Sequence, residues 1–256
     1  MVGSGPGIEL SRRYTSVDLG ILTEEEARRF GVDGRRGSEE NLALAWELLY
    51  RLEPELYDRL VQAERLHPAI LDWLPRHTDR IVEVAAGSGR LTTELIERCD
   101  TLIAVEPAAP LRALLAARLG DHAGGRLRLV HGFFDCLPVS DKSAGLVITC
   151  SALTPDPTHG GDAGLAEMER VCMAGGRVVI IWPNHLEWLA SRGYRYESFL
   201  GDMQMEFASF EDAVALCEIF YPEAVAQIRR RGDRRVPYEL LGVNPPRDLA
   251  YKEMAA

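Results

Sequence analysis

The stretch from Glu83 to Leu95, EVAAGSGRLTTEL, decides the fold. It passes from an apolar segment with the pattern of a β-strand into a segment with helical spacing. Three small residues, Ala85, Gly87 and Gly89, occupy the turn between the two. Small residues at such a turn let the main chain come within contact distance of a ligand. The stretch therefore predicts a strand–loop–helix unit with a ligand-binding loop, although a plain tight turn would have the same composition.

Outward from this unit, apolar segments alternate with helical ones. The segments with a strand pattern are residues 81–86, 101–106, 127–132, 145–150 and 177–182. Such alternation predicts an α/β fold whose parallel sheet carries helices on both faces. Two more strand-like segments, 236–243 and 248–254, are separated by only four residues, too few for a parallel crossover. We therefore predict that they form an antiparallel hairpin at the end of the chain.

The first part of the chain has helical patterns instead. A capping box begins at Thr23, a loop is expected over 31–38, and apolar residues recur at helical spacing over 38–52. We predict an N-terminal helical cap over 1–79 and a core over 80–256. The segment near 184–208 is rich in methionine and aromatic residues. It could be a lid-like insert that covers a pocket, and simple packing of an inserted segment is an equal alternative.

Composition limits the classes of function. The chain has 256 residues and a formal net charge of −10, so it offers no net positive field to a nucleic acid, although Arg229–Arg235 is locally basic. Its five cysteines fit neither zinc-site nor redox-pair spacing, which indicates reduced thiols. No apolar segment is as long as a membrane span. We expect a cytoplasmic protein with neither nucleic acid nor membrane as a partner.

A carboxylate follows the second predicted strand. Glu106 lies roughly twenty residues beyond the glycine loop, where nucleoside-binding folds place the acid that accepts ribose hydroxyls. A dinucleotide fingerprint would need a third glycine at the position of Thr92. A P-loop would need a lysine in this stretch, which has none. A dinucleotide-binding protein, such as a nicotinamide enzyme, and a P-loop nucleotide-binding protein are therefore both disfavoured.

Four segments together resemble the class I S-adenosylmethionine-dependent methyltransferases of the UbiE-like type. They are the glycine loop with its flanking strand, Glu106, HGFFDCLP (131–138) and EMERVCMAGGRVVII (167–181). The resemblance is good over 80 to about 183 and weaker elsewhere. It implies a Rossmann-like, mostly parallel seven-stranded sheet. It also implies methyl transfer from S-adenosylmethionine, with S-adenosylhomocysteine as the product and no metal.

The resemblance implies a set of cofactor-binding residues: Glu83, Ala85, Gly87, Gly89, Glu106, Pro107, Phe133, Phe134, Cys150, Ser151 and Tyr57. Phe133 stands where the family usually has an aspartate beside adenine, and Asp135 is an alternative partner. Either phenylalanine could cover the adenine ring or belong to the core. For Tyr57, closing over the cofactor and packing on the apolar face of a helix stay equal alternatives.

The acceptor side has weaker candidates. His159 and Asp156 are the catalytic candidates in the loop 152–162, since histidine is the natural proton acceptor at neutral pH. A loop histidine can equally be solvated or a cap. Asp156, His159 and Asp162 fit no standard metal spacing, so no metal is expected. The substrate-binding candidates are Tyr14, Thr154, Asn184, His185 and Trp188.

The sequence thus predicts a methyltransferase acting on a small-molecule acceptor at O, N or C, with bacterial natural-product biosynthesis as the expected setting. One alternative is an RNA or protein methyltransferase. Another is a protein of the same fold that binds the cofactor without methyl transfer. The oligomeric state stays open, and a homo-oligomer is compatible with the sequence.

Overall fold

The computed structural model describes Leu10 and residues 13–32, 42–120 and 123–255. Most of the predicted 31–38 loop and the start of the predicted 38–52 helix lie outside these residues. The chain forms two compact units. The first consists of Met1–Arg65 and Gly201–Pro245, and the second of Leu66–Leu200 and Pro246–Ala256. Residues 66–79 therefore group with the unit that contains the sheet, whereas the sequence analysis placed them with the cap.

The described residues form eleven α-helices and nine strands. The helices are α1 (Glu24–Arg29), α2 (Leu42–Leu52), α3 (Pro54–Ala63), α4 (Pro68–Trp73), α5 (Thr92–Leu95), α6 (Ala109–Leu119), α7 (Gly161–Val171), α8 (Leu186–Ala190), α9 (Phe210–Phe220), α10 (Val225–Arg231) and α11 (Tyr238–Leu241). The strands are β1 (Thr78–Val84), β2 (Cys99–Val105), β3 (Leu127–Val130), β4 (Ala144–Cys150), β5 (Cys172–Ile181), β6 (Arg195–Ser198), β7 (Gln204–Glu206), β8 (Arg235–Pro237) and β9 (Asp248–Glu253).

The second unit contains a seven-stranded sheet in the order β3-β2-β1-β4-β5-β9-β6. The first five of these strands pair in parallel, and β9 runs antiparallel to both β5 and β6. This confirms the predicted α/β fold with a mostly parallel seven-stranded sheet. The five strands predicted from apolar segments all form. Their carboxyl ends meet at one edge, where open α/β sheets bind ligands.

Helices cover both faces of the sheet, because the side chains of the central strands are apolar on both faces. On one face, Val82, Val84 and Val147 pack with Met168 of α7. On the other, Ile81 and Ile148 pack with Ile70 of α4, with Leu91 just before α5 and with Leu95 at its end. The continuous apolar character of β1 and β4 thus follows from burial on two sides.

The first unit is mainly helical. The predicted capping box is present at α1, where the Thr23 hydroxyl accepts from the Glu26 main-chain amide and the Glu26 carboxylate accepts from the Thr23 amide. Arg51 at the end of α2 is buried and forms ion pairs with both Glu26 and Glu47. The short strands β7 and β8 pair antiparallel within this unit.

The end of the chain differs from the prediction. Residues 236–243 do not pair with β9; β8 pairs with β7, and α11 follows it directly. Pro237 precedes this helix and Gly242, with φ +71°, ends it in a left-handed cap, so the apolar residues between them form a helical turn. The antiparallel partners of β9 are β5 and β6 instead. The predicted 184–208 insert is thereby divided, with α8 and β6 in the sheet unit and β7 in the first unit.

Within the described residues, no helix is both long and apolar enough to cross a membrane.

Candidate functional site

The glycine loop turns sharply after β1. Ala85, Gly87 and Gly89 have φ values of +57°, +58° and +98°, all in the left-handed region. The Ala86 amide donates to the Val105 carbonyl of β2 at 3.1 Å, which ties the loop to the neighbouring strand. A left-handed alanine carries a cost of about 1 kcal/mol that glycine avoids. The loop conformation is therefore imposed by its surroundings.

Glu106 holds the glycine loop from the end of β2. Its Oε2 accepts from the Gly87 main-chain amide at 2.9 Å, and its Oε1 accepts from the Ala108 amide at 2.8 Å. The side chain is only 4% exposed. Pro107 follows it, and its carbonyl accepts from Arg112 at 2.8 Å. An ionised carboxylate has about four acceptor positions, so an acid at this place is of the kind that can bond hydroxyl donors as well as amides.

Left-handed residues recur at this edge of the sheet. Ala85 follows β1, Ser151 follows β4 and Trp182 follows β5, and their φ values are +57°, +57° and +55°. These three strands are adjacent in the sheet. Non-glycine residues in this conformation are uncommon and concentrate at ligand-binding positions. Each of three neighbouring strands is thus followed by a non-glycine residue in the left-handed conformation.

Arg90 connects two of these strand ends and was missed by the sequence analysis. Its guanidinium donates to the Cys150 sulfur at 3.1 Å and lies 5.9 Å from the centre of the Trp182 ring. The available signal was its place directly after the glycine loop. Trp182 was also missed as a site residue, because its position was read only as the end of a strand.

Glu83 is buried in β1, beneath the loop. Burial raises its pKa to about 8, while the nearby Thr92 hydroxyl and the charge of Arg90 oppose this shift. The side chain is therefore mainly protonated at neutral pH in the ligand-free protein. The buried hydroxyl of Ser88, in the loop, has no hydrogen-bond partner among the described residues.

These features fit S-adenosylmethionine. A carboxylate at the end of β2 suits the hydroxyls of a ribose, and the left-handed turns let a ligand approach the main chain. Glu83 and Arg90 place a titratable acid and a cation near the same turn. The residues that would hold the cofactor are Glu83, Ala85, Gly87, Gly89, Arg90, Glu106, Pro107, Cys150 and Ser151.

The two phenylalanines after β3 differ in their surroundings. Phe134 packs against the core and touches the start of α7, where a Cβ added at Gly164 would lie 3.0 Å from its own Cβ. Phe133 is half-buried, and its ring meets that of His131 edge-on at 5.4 Å. Phe134 is thus the residue of the pair that packs against the core, and an adenine contact by Phe133 stays a prediction.

The 152–162 loop is held by local hydrogen bonds. Asp156 caps a 3₁₀ turn over Pro157–His159, because its Oδ1 accepts from both the amide and the hydroxyl of Thr158 at 2.8 Å. These bonds hold the pKa of Asp156 below its usual value. Thr154 forms main-chain hydrogen bonds with both His159 and Gly161. Asp156 is therefore a capping residue in this structure.

His159 is half-buried in the same loop. Burial lowers its pKa, and the charge of Asp156 opposes the shift. Its Nδ1 lies 3.0 Å from the Thr158 hydroxyl. The ring is therefore neutral at pH 7 and can accept a proton at a ring nitrogen.

Asp162 and Trp188 bind each other. The Trp188 indole donates to Asp162 Oδ1 at 3.0 Å, and the Arg192 guanidinium donates to Asp162 Oδ2 at 2.8 Å. The hydrogen bond from Arg192 lowers the pKa of Asp162. Both carboxylate oxygens are thus occupied, which argues against a metal held with Asp156 and His159. The other predicted residues here, Asn184 and His185, are exposed just beyond β5.

Tyr14 and Tyr57 lie in the first unit. The Tyr14 hydroxyl donates to Glu53 Oε2 at 2.8 Å, and burial raises its pKa. The Tyr57 ring packs edge-on against Tyr50 at 4.7 Å and lies 6.5 Å from the ring of Trp46. Tyr57 therefore belongs to an aromatic cluster, and any role of either tyrosine towards a ligand stays a prediction.

Comparisons with known proteins find methyltransferases. Residues 81–176 match a family model described as a methyltransferase domain. An uncharacterized methyltransferase of Mycobacterium bovis is 30% identical over 131 residues, which cover 49% of this chain and 50% of the relative. One from Geobacillus thermodenitrificans is 27% identical over 99 residues, 39% of this chain and 44% of the relative. The chain thus spans about half the length of the curated relatives it matches, or less.

Two solved structures share the fold. The YcgJ protein of Bacillus subtilis has a TM-score of 0.50 at 10% identity, covering 74% of this chain and 97% of its own. A putative methyltransferase of Bacillus halodurans has a TM-score of 0.50 at 15% identity, covering 73% and 98%. The chain therefore has the Rossmann-like fold of these two structures, and its residues 81–176 match a methyltransferase domain. Its resemblance to the S-adenosylmethionine-dependent enzymes is confirmed at this level, whereas the UbiE-like subtype stays a prediction.

Proposed function

We propose that this protein transfers a methyl group from S-adenosylmethionine to an O, N or C atom of a small molecule, in bacterial natural-product biosynthesis. The observation that carries the proposal is the buried Glu106 carboxylate, held by two main-chain amides at the end of β2 beside a left-handed glycine loop. That is the position of a ribose-binding acid in this class of fold.

The bound cofactor supplies a methyl group that is already activated. The protein's residues then bind and orient. Glu106 accepts hydroxyl donors, and the turns after β1 and β4 bring the main chain close to the ligand. Positioning the two reactants supplies much of the rate in such a displacement. Where the acceptor arrives protonated, the neutral ring of His159 takes the proton.

A small acceptor is favoured over a nucleic acid by charge. The net charge is −10. Within the basic run, Arg229 pairs with Glu218, and the Arg234 guanidinium donates to the carbonyl of Phe207 at 2.8 Å. Arg235 lies 3.9 Å from Glu206. Arg229 and Arg235 are thus paired with carboxylates, which reduces the positive charge that the run offers to a phosphate backbone.

The test is calorimetric titration of the wild type with S-adenosylmethionine and S-adenosylhomocysteine, followed by the same titration of Glu106→Ala. We expect micromolar binding that Glu106→Ala weakens about 100-fold, since charge-assisted hydrogen bonds to two hydroxyls are lost. Asp72→Ala, an exposed acid on α4, is the matched control and should bind as the wild type does.

Each other outcome is informative. A folded wild type that binds neither compound would overturn the proposal and favour a nicotinamide enzyme or a scaffold. Binding without methyl transfer to any of a panel of small acceptors would support the non-methylating alternative. Methyl transfer to RNA or protein with none to the panel would replace the proposed acceptor class.

A further inference from the structure

The sheet ends in strand β6, and no strand among the described residues pairs with its outer side. β6 pairs with β9 on one side and is the terminal strand of the sheet. All four of its residues, Arg195–Ser198, are exposed. An unpaired strand edge presents main-chain donors and acceptors that another chain can pair with.

Two hydrogen bonds fix which main-chain groups of β6 point outward. The Phe199 amide donates to the Arg247 carbonyl at 2.9 Å, and the Asp248 carbonyl accepts from Trp182 on the β5 side at 2.9 Å. Antiparallel strands alternate the direction of their main-chain groups residue by residue. The amide and carbonyl of Tyr196 and of Ser198 therefore lie on the open edge.

The sequence of this strand is complementary to itself. If a second copy of β6 runs antiparallel with Tyr196 opposite Tyr196, the register places Arg195 of each copy opposite Glu197 of the other. Arg195 and Glu197 lie on the same face of the strand, across from Tyr251 and Leu249 of β9. Opposite charges at directly facing positions stabilise a strand pair. Arg195 also pairs with Glu253 at 3.1 Å, and its side chain is 64% exposed.

Apolar surface accompanies the strand edge. A groove of about 230 Å³ lies between α8 and β6, and its lining includes Leu186, Leu189, Tyr194 and Tyr196. Leu200, two residues beyond β6, is 93% exposed. In the register centred on Tyr196, Leu200 falls opposite Arg192 of the second copy, next to that copy's Tyr194 and its groove. This register would therefore let the exposed leucine of each copy lose water-accessible surface against the groove of the other.

We propose that two copies of this chain pair antiparallel through the outer edges of their β6 strands, centred on Tyr196, with Arg195 of each copy facing Glu197 of the other. The two sheets then continue into one. Because the same surface serves both copies, the contact closes after two and predicts a dimer with no larger assembly.

The test is sedimentation velocity over a range of concentrations at low ionic strength, with charge-reversal variants. We expect the wild type to show a monomer–dimer equilibrium. Glu197→Arg and Arg195→Glu each replace two attractive pairs by two repulsive ones, so each should raise the dimer dissociation constant about tenfold or more. A mixture of the two variants restores opposite charges at both positions and should form heterodimers as tightly as the wild type. Glu94→Arg, the same change of charge as Glu197→Arg but on α5 after β1, should leave the dimer intact.

Hydrogen exchange read by NMR gives a second measurement. In the dimer, the Tyr196 and Ser198 amides should exchange more slowly than in the Glu197→Arg variant, while the Glu197 amide, which faces β9, should exchange at the same rate in both. A wild type that stays monomeric at every concentration would overturn the proposal. So would a dimer that neither variant weakens, a mixture that fails to associate, or an assembly that grows beyond two copies.

Discussion

The glycine loop and the 152–162 loop both lie at the carboxyl ends of strands, but they are held in different ways. Around the glycine loop, Glu106 joins amides of two separate segments and is almost fully buried. In the other loop, Asp156 is exposed and bonds to Thr158, two residues away. The first region depends on tertiary packing and the second on a local turn. Substitutions should therefore disturb stability in the first and turnover alone in the second.

The largest expected effect is on the pH dependence of stability, through Glu83. Its pKa is about 8 in the folded protein and near the ordinary 4.5 when unfolded, so between these values the folded state holds more protons. Stability contributed by this group is therefore present below about pH 4.5 and is lost as the pH rises towards 8, by on the order of 4 kcal/mol.

Glu83→Gln should remove this slope and make the protein more stable than the wild type above pH 8. The measurement is urea unfolding of both proteins without ligand from pH 5 to pH 9. This range lies above the pKa of an unfolded glutamate and includes the raised pKa of Glu83. Glu94→Gln, an exposed acid on α5, is the control and should keep the wild-type slope. Identical slopes for wild type and Glu83→Gln would contradict the packing dependence of this region.

Gly89 gives the next largest effect. A Cβ at this position would lie 2.3 Å from Leu115 Cδ1 of α6, and φ is +98°. We expect Gly89→Ala to destabilise the protein by about 3 kcal/mol, from backbone strain together with overpacking. Gly175→Ala is a matched control, because Gly175 also has a positive φ, +73°, but nothing lies within 4 Å of an added Cβ.

Denaturant unfolding of the two alanine variants separates the two causes. Gly175→Ala should cost about 1 kcal/mol, the strain alone. If both variants lost the same free energy of unfolding, the contact between the glycine loop and α6 would contribute nothing to stability. The contrast between the two loops would then be weaker than described.

The smallest expected effect on stability is at His159, where turnover is expected to change instead. If His159 accepts a proton, His159→Gln should lower kcat about 100-fold while the dissociation constant for S-adenosylmethionine stays the same. Because burial lowers the pKa of His159, the wild-type rate should fall only as the pH drops below the ordinary histidine range. Asp156→Asn should change kcat less than about threefold, since its carboxylate serves as a cap. A His159→Gln variant with wild-type kcat would remove the catalytic assignment.

The sequence predicted those parts of the site that depend on strand order and spacing. Glu106 and the glycine loop follow adjacent strands, so their positions in the chain were enough to bring them together. Arg90 was missed because its role depends on reaching the ends of β4 and β5 through its side chain. The C-terminal hairpin was wrong because apolar character does not specify a partner, and Pro237 and Gly242 divided the segment into a strand and a helical turn. Asp156 was predicted as a catalytic candidate from its residue type, which does not reveal a capping role; the cap is observed, and the catalytic role stays a prediction.

The two amides bound by Glu106 have a consequence for how fast and how tightly a ligand is taken up. The carboxylate that would bind the hydroxyls also holds two main-chain amides around the loop, so we expect little conformational entropy to be lost on association. Binding should then proceed in one step without a slow rearrangement. Differences in affinity between ligands should then appear mainly in the dissociation rate, which the hydroxyl contacts at Glu106 would set.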